Sequence, residues 1–187
     1  GRGPRSVALD LVGRIDPVSK SRVGGAIGLT NAQSQWAIEA RRELENLDPN
    51  YLTRKLRDKR LDGAFKKAIE SGEAMPEKQI DAAVSRLQAR TLRYRGENIA
   101  RTESLSALSQ GQNGAIQQAL DVAELDEEFT TKFWQSSGKA EEREEHVAVE
   151  DAYPNGIPFN ESFNVGGVMM RWPRAPEGGA KNVINCG

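Results

Sequence analysis

The sequence has one cysteine, one histidine and no long apolar run, and each shortage excludes a class of protein. One cysteine excludes an intrachain disulfide framework and an all-cysteine zinc site, and one histidine excludes the two-histidine zinc motifs. No uncharged apolar run approaches the roughly 20 residues that cross a bilayer, so a transmembrane helix is excluded. The opening Gly-Arg-Gly-Pro-Arg has no apolar stretch behind its charges, so we do not expect a signal peptide.

Hydrophobic residues are also scarce, at 37% of 187 residues, whereas charged residues reach 28%. We therefore expect one domain, or one domain with a helical extension, around a modest core. The net charge of −1 hides an asymmetry, because residues 1–110 carry a net +6 and residues 111–187 a net −7. Such a layout suits one face for a polyanion and another for a basic partner, or is a solvated surface of uneven composition.

The chain divides into three parts by composition. Residues 1–25 are rich in glycine and basic residues, with scattered apolar side chains, and we predict an extended basic arm that is ordered by contact with a neighbouring protein. Residues 26–125 have the spacing of helices. Residues 126–187 are short segments separated by turn residues, which predicts a small β-rich unit.

Local signals mark the helices of the middle part. Thr30 and Gln33 have the spacing of a capping box, and Pro49 ends the helix that they begin. We expect Gly96 to break or kink the helix after Pro76, and a further helix to follow over residues 97–123. The helix after Pro76 places its apolar side chains on one face: Ile80, Val84, Leu87, Thr91 and Tyr94.

The last part is predicted to be mostly antiparallel β structure. Residues 129–135 are mainly aromatic and β-branched, which favours a strand, and Asn155-Gly156 favours a tight turn. We also predict a strand at residues 182–186. The fold class is therefore α+β, with an N-terminal helical region followed by a small, mostly antiparallel β unit packed on a long helix.

One segment is dense in basic residues and is the first candidate site. Its side chains can contact phosphates, but no aromatic residue is interleaved to stack bases, which favours a protein partner. We predict that this segment contacts either a nucleic acid or a partner protein through Arg54, Lys55, Arg57, Lys59 and Arg60.

His146 lies among acidic residues and carries three alternatives: a structural hydrogen bond, a metal ligand, or a general base oriented by a carboxylate such as Asp151. We predict the structural role, in which His146 holds a turn at residues 143–151 against the strand of Asn185 and Cys186 by bonding a backbone group or a carboxylate. Cys186 has no activating neighbour in sequence and is expected to be buried at a strand end. We predict no catalytic residue, metal or cofactor.

Arg101 and Glu103 lie two positions apart on a predicted helix, so their side chains do not face each other. Arg101 is expected to reach a carboxylate of the β unit or a phosphate, or to act as a polar anchor between the two halves of the chain.

Several residue groups resemble the phage head morphogenesis family, typified by the Mu F-like minor head proteins of tailed bacteriophages. The most specific are the Ala-Arg-Thr-Glu that contains Arg101 and Glu103, Trp134 followed by Arg143-x-x-His146, and Asn185-Cys186. Together the matching groups extend over residues 27–187. They are residues 27–33, 93–103, 132–134, 143–146, 157–159, 173–179 and 183–186.

The resemblance implies a structural protein of the virion and not an enzyme. Such a minor head protein associates with the portal protein and other head proteins, and acts in capsid assembly and in DNA packaging or ejection. It is assembled in the host cytoplasm and resides in the capsid, inside or at the portal vertex. Packaged double-stranded DNA is a further partner, and no membrane is involved.

Two other classes of function compete with this expectation. A nuclease-like site would combine Arg101, Arg143, His146 and Asp151, because phosphodiester cleavage needs an acid–base group and positive charge. A plain DNA-binding module would use the basic residues at 54–60. In either binding role the basic half of the chain is expected to face DNA or an acidic portal surface.

Overall fold

The computed structural model describes residues 3–19, 22–136, 138 and 142–184. Two compact units, Gly1–Glu97 and Asn98–Gly187, divide the chain. The fold is α+β, as predicted, with a mainly helical first unit and a second unit that combines helices with short antiparallel strands. None of the helices in the described ranges is both long and apolar enough to cross a membrane.

The first unit consists of helices, two 3₁₀ turns and one small hairpin. Its elements are helix α1 (Pro4–Val12), strands β1 (Arg14–Ile15) and β2 (Arg22–Val23), helix α2 (Asn31–Glu45), 3₁₀ turns at Pro49–Thr53 and Lys59–Leu61, helix α3 (Asp62–Ser71), and the first part of helix α4 (Glu77–Val122).

The core of the first unit lies between α2, the 3₁₀ turns, α3 and α4. Tyr51 and Phe65 are fully buried and meet edge to face, with ring centroids 5.3 Å apart. The predicted capping box is present: the Thr30 hydroxyl accepts from the Gln33 backbone N–H, and the Gln33 side chain accepts from the Thr30 N–H. The side chains packed around the two rings are mostly small or aliphatic: Ala37, Ala40, Leu44, Met75, Ile80, Ala83, Val84 and Leu87.

The expectation of an extended arm at residues 1–25 is wrong for residues 4–12, which form α1. Ala8 and Val12 on this helix are only 3% and 2% exposed. Val12 packs where Gly96 of α4 leaves room, because a Cβ built on Gly96 would lie 2.4 Å from Val12 Cγ1. The segment is thus packed against its own unit.

Of the two effects expected of Gly96, a break or a kink, the structure contradicts the break, because the helix continues through this residue. The helices predicted on its two sides form one helix, α4, of 46 residues. The penalty for glycine inside a helix is only about 1 kcal/mol. The close approach of Val12 explains why glycine occupies this position.

The second unit combines the end of α4 with short strands and helices. After α4 come strand β3 (Thr131–Lys132), helix α5 (Glu144–Ala152), strands β4 (Ile157–Pro158), β5 (Phe163–Val165) and β6 (Val168–Met170), a 3₁₀ turn at Pro176–Gly178, and helix α6 (Gly179–Val183). Strand β3 pairs antiparallel with β4, and β5 pairs antiparallel with β6.

Three details of this unit differ from the predictions. The strand expected at residues 129–135 is reduced to β3, with Phe129 and Phe133 exposed on either side. Helix α5, Glu144–Ala152, takes the place of the turn expected at residues 143–151. The strand expected at 182–186 is wrong for Asn182 and Val183, which belong to α6, and Asn185 and Cys186 lie outside the described residues.

Gly96→Ala should lower the free energy of unfolding by about 1–3 kcal/mol, since the new Cβ overpacks the site of Val12. The matched control is Gly111→Ala on the same helix, where a Cβ meets nothing within 4 Å. That change should raise stability by about 0.5–1 kcal/mol. Urea unfolding measures both, and Val12→Ala should rescue Gly96→Ala. Equal stabilisation at the two glycines would contradict the packing of α1 on α4.

Candidate functional site

The basic segment at residues 54–60 links the two 3₁₀ turns of the first unit, and its first arginine is held by α2. Arg54 Nε and Nη2 donate to the two carboxylate oxygens of Glu43 at 2.6 and 2.7 Å. Glu39 lies 3.6 Å from the same guanidinium. The Arg54 side chain is only 19% exposed, so it is committed to holding the segment on α2.

Arg57 is used in the same way. Its Nε and Nη2 donate to both carboxylate oxygens of Asp62, at 2.9 and 2.7 Å, and its Nη1 donates to the Arg54 carbonyl at 3.1 Å. The side chain is 15% exposed. Two-point pairing of this kind fixes a guanidinium in one orientation, so Arg57 stabilises the segment and the start of α3.

Asp58 is the acceptor on which the segment converges. Its carboxylate is 1% exposed and receives hydrogen bonds from Arg60, Arg86 and Arg90 at 2.8 to 3.3 Å. It also accepts from the Arg60 backbone N–H, which caps the second 3₁₀ turn. Hydrogen bonds from Arg60 above all, and from Arg86, hold the pKa of the Asp58 carboxyl far below its usual range.

The positive charge of this segment is therefore largely compensated inside the unit. Arg60 is 73% exposed, yet its guanidinium pairs with Asp58. Lys55 and Lys59 are the two exposed lysines of the segment. The acidic residues that compensate the three arginines come from α2, the second 3₁₀ turn and α3: Glu39, Glu43, Asp58 and Asp62.

An apolar groove of about 190 Å³ lies beside this segment in the first unit. Trp36 of α2, 50% exposed, and Leu87 of α4 line it, together with Lys55 and Leu56 of the basic segment. The structure thus places beside the lysine the aromatic side chain that the segment lacks in sequence.

Sequence reasoning missed Trp36 as a site residue. The buried positions of α2 are Ala37, Ala40 and Leu44. Trp36, the largest apolar side chain of the helix, is therefore half exposed, whereas smaller side chains occupy the core. This mismatch between side-chain size and burial becomes visible only in the folded structure.

His146 of α5 lies in the core of the second unit and is 2% exposed. Its ring meets Trp134 edge to face, with centroids 5.8 Å apart. Burial lowers the pKa of His146, and a hydrogen bond with the Asn182 side chain opposes that shift. These contacts support the structural role of His146, with the Asn182 side chain as one of its hydrogen-bonding partners.

Of the three residues that would join His146 in a nuclease-like site, Arg143 is near enough to help lower the pKa of the imidazole, whereas Arg101 and Asp151 are exposed. Arg143 Nη2 donates to the Ile184 carbonyl at 2.6 Å, which holds α5 to the end of α6. Asp151 is exposed on α5, five residues after His146 and so roughly 140° away around the helix. Arg101 and Glu103 are exposed on α4. Over the described ranges, no three His, Cys, Asp or Glu side chains are placed to hold a metal ion.

Comparison with known proteins gives no relative. No family model matches the chain, and no curated protein or solved structure is significantly similar to it.

Asp58→Asn should lower the free energy of unfolding by about 3 kcal/mol, because it leaves three arginines around a neutral group. The depressed pKa makes the contribution of Asp58 present above the unfolded-state pKa of about 3.9 and lost as pH falls below it. We expect the free energy of unfolding, measured with urea between pH 6 and about pH 3, to fall more steeply with decreasing pH for the wild type than for the variant. The control is exposed Asp121→Asn, and an equally small effect of both changes would refute the role of Asp58.

Acidification should also destabilise the protein through His146. The pKa of His146 is lower in the folded state than in the unfolded state, where it is about 6.5. The full free energy of unfolding is therefore present above pH 6.5, and it decreases by up to about 1.4 kcal/mol for each pH unit below that value. His146 is the only histidine in the chain, so His146→Gln should flatten the profile between about pH 6.5 and pH 5. A wild-type profile that is already flat there would contradict a buried neutral imidazole.

Proposed function

We propose that this chain is a minor head protein of a tailed bacteriophage, which docks at the portal vertex and acts in head morphogenesis. The residue groups that resemble the phage head morphogenesis family support the proposal. The observation that carries it furthest is the groove of Trp36, Lys55 and Leu56, which has the chemistry of a protein-docking surface.

A protein partner suits this groove better than DNA does. Tryptophan is enriched among the residues that dominate protein interfaces, especially where it enters an apolar pocket with a polar rim. DNA affinity instead needs cations that are available to phosphates. In this segment Arg54, Arg57 and Arg60 are already paired with carboxylates.

The charge of the groove rim indicates the kind of protein surface that fits. Lys55 lines the groove and Lys59 is exposed nearby in sequence, so an acidic partner surface is complementary. We assign this partner as the portal protein, with other head proteins as neighbours in the capsid. The same location, reached during assembly in the host cytoplasm, allows a part in DNA packaging or ejection.

The proposed role is non-catalytic. His146 is enclosed by Trp134 and bonded by Asn182, and its burial favours a neutral imidazole that stabilises the fold. The nuclease-like alternative required Arg101 and Asp151 beside it, and both side chains are exposed elsewhere on their helices. This arrangement favours an interaction protein over a nucleic-acid enzyme.

Trp36→Ala should weaken binding to the purified portal protein by about 30-fold or more, the loss typical of a central interface tryptophan. Ile38→Ala is the matched control, because Ile38 is 62% exposed on the same helix and does not line the groove. Portal pull-down and incorporation into heads are the two readouts. Normal incorporation of Trp36→Ala would overturn the groove as the docking surface.

A variant of the two exposed lysines tests the DNA-binding alternative. Replacing Lys55 and Lys59 by glutamine should leave the salt dependence of binding to double-stranded DNA unchanged if the segment serves a protein partner. A salt slope that becomes shallower by about two units, one for each released phosphate contact, would assign the segment to DNA instead.

A further inference from the structure

The second unit contains a cavity of about 370 Å³ that the proposed function does not use. One wall is the face of α4 that carries Ser109, Gln112 and Asn113, and the other comes from β3 and the loop after β6. The volume falls in the range of about 300–1,000 Å³ typical of small-molecule sites. The cavity is therefore large enough for a ligand.

Three cationic side chains line this cavity: Lys132 of β3, and Arg171 and Arg174 of the loop after β6. Lys132 Nζ donates to the backbone carbonyls of Glu161 and Arg171. An ammonium group has three N–H donors, so one of them is not used by these carbonyls.

Lys132 is also held over two aromatic rings. Its Nζ lies 5.5 Å from the ring centroids of both Phe159 and Phe163. Carbonyl dipoles and aromatic faces orient the ammonium without cancelling its charge. The lysine therefore presents a positive charge at a fixed position in the wall of the cavity.

Keeping Lys132 protonated at this position is electrostatically unfavourable. Burial first, and then the nearby Arg171, lower the pKa of Lys132 to about 8, while Glu127 and Glu161 act in the opposite direction. Neither glutamate lines the cavity. At neutral pH the lysine is still mostly protonated beside another cation, and an anion in the cavity would relieve that repulsion.

Two further features concentrate at this loop. Arg174 has φ of +65°, a left-handed conformation that is strained for a residue with a Cβ. Trp172 lines the cavity, and its indole Nε1–H is buried with no acceptor among the described residues. Backbone strain and an unsatisfied donor are features that recur at ligand sites.

We propose that this cavity binds a nucleotide, with its 5′-phosphate held by Lys132, Arg171 and Arg174 and its base against the exposed ring of Phe133. Three cations exceed what one carboxylate needs, but they match a phosphate monoester, which carries a charge near −2 at neutral pH. Phe133 lines the cavity and is 65% exposed, and an exposed ring of this kind is where a base stacks.

The donors on α4 suit the remaining polar groups of such a ligand. The side chains of Gln112 and Asn113 each offer a donor and an acceptor, and the Ser109 hydroxyl offers both. These groups match a sugar and the edge of a base. The nucleotide is either free or the 5′-phosphorylated end of a strand, since both present the same phosphate and base.

Titration of the labelled full chain with AMP, followed by amide chemical shifts, tests the proposal. AMP should shift signals of residues 132–133 and 171–174, and the Arg171→Gln/Arg174→Gln variant should bind at least about tenfold more weakly. Arg101→Gln is the matched control, because Arg101 is exposed in the same unit and does not line the cavity. Thermal unfolding of both variants verifies that they are folded.

Other ligands separate the parts of the site. Adenosine should bind more weakly than AMP, and affinity for AMP should fall as pH rises through about 8, where Lys132 loses its proton. Arginine-dependent binding of a 5′-phosphorylated oligonucleotide, but not its 5′-hydroxyl form, would assign the ligand to a strand end; binding of AMP alone would assign it to a free nucleotide. Equal binding of adenosine and AMP, unchanged affinity in the double variant, or no shifts with AMP or inorganic phosphate would overturn the proposal.

Discussion

The buried carboxylate of Asp58 is the interaction on which the first unit depends. An isolated charge in this position would cost several kcal/mol, so the surrounding guanidinium groups are a condition of its burial. Arg60 approaches from the 3₁₀ turn, and Arg86 and Arg90 from α4. The Asp58 side chain thus connects the basic segment to the longest helix. The three arginines that pair with it stabilise the fold, whether or not they also contact a ligand.

This constraint changes what a dense run of basic residues means. From sequence alone, five cations within seven residues indicate a surface for a polyanion. Their acidic partners are dispersed, with Glu43 on α2 and Asp62 on α3, so the compensation is visible only once the chain is folded. Lys55 and Lys59 alone retain the character that the sequence suggested for all five.

The elements that sequence predicted well are those whose signals are local. The start of α2 depends on Thr30 and Gln33, which are three residues apart. The effect of Gly96 on its helix was misjudged because glycine is needed there to make room for Val12, which lies far away in the chain. The α+β class was predictable from the change in periodicity, whereas the lengths of individual strands were not.

The end of the second unit shows the same limit. Asn182 and Val183 belong to the strand predicted at residues 182–186, yet they form part of a five-residue helix whose buried Asn182 bonds His146. So short a helix has almost no intrinsic stability, and tertiary contacts decide its conformation. The candidate sites were hidden for a related reason, since Trp36 and Lys55 come together only through packing.

The two cationic clusters differ in how their charge is balanced, and this difference underlies the two roles that we propose for them. In the first unit, carboxylates neutralise Arg54, Arg57 and Arg60, so the docking that we propose for this surface depends mainly on shape and apolar contact. In the second unit, Lys132 is held by carbonyl oxygens and aromatic rings, which orient a charge but do not remove it. A lysine that is oriented in this way in the wall of a cavity is suited to bind an anion, although it is less conspicuous in sequence than the basic segment. Charge density along the chain is therefore a poorer guide to ligand binding than the chemistry of each cation's partners.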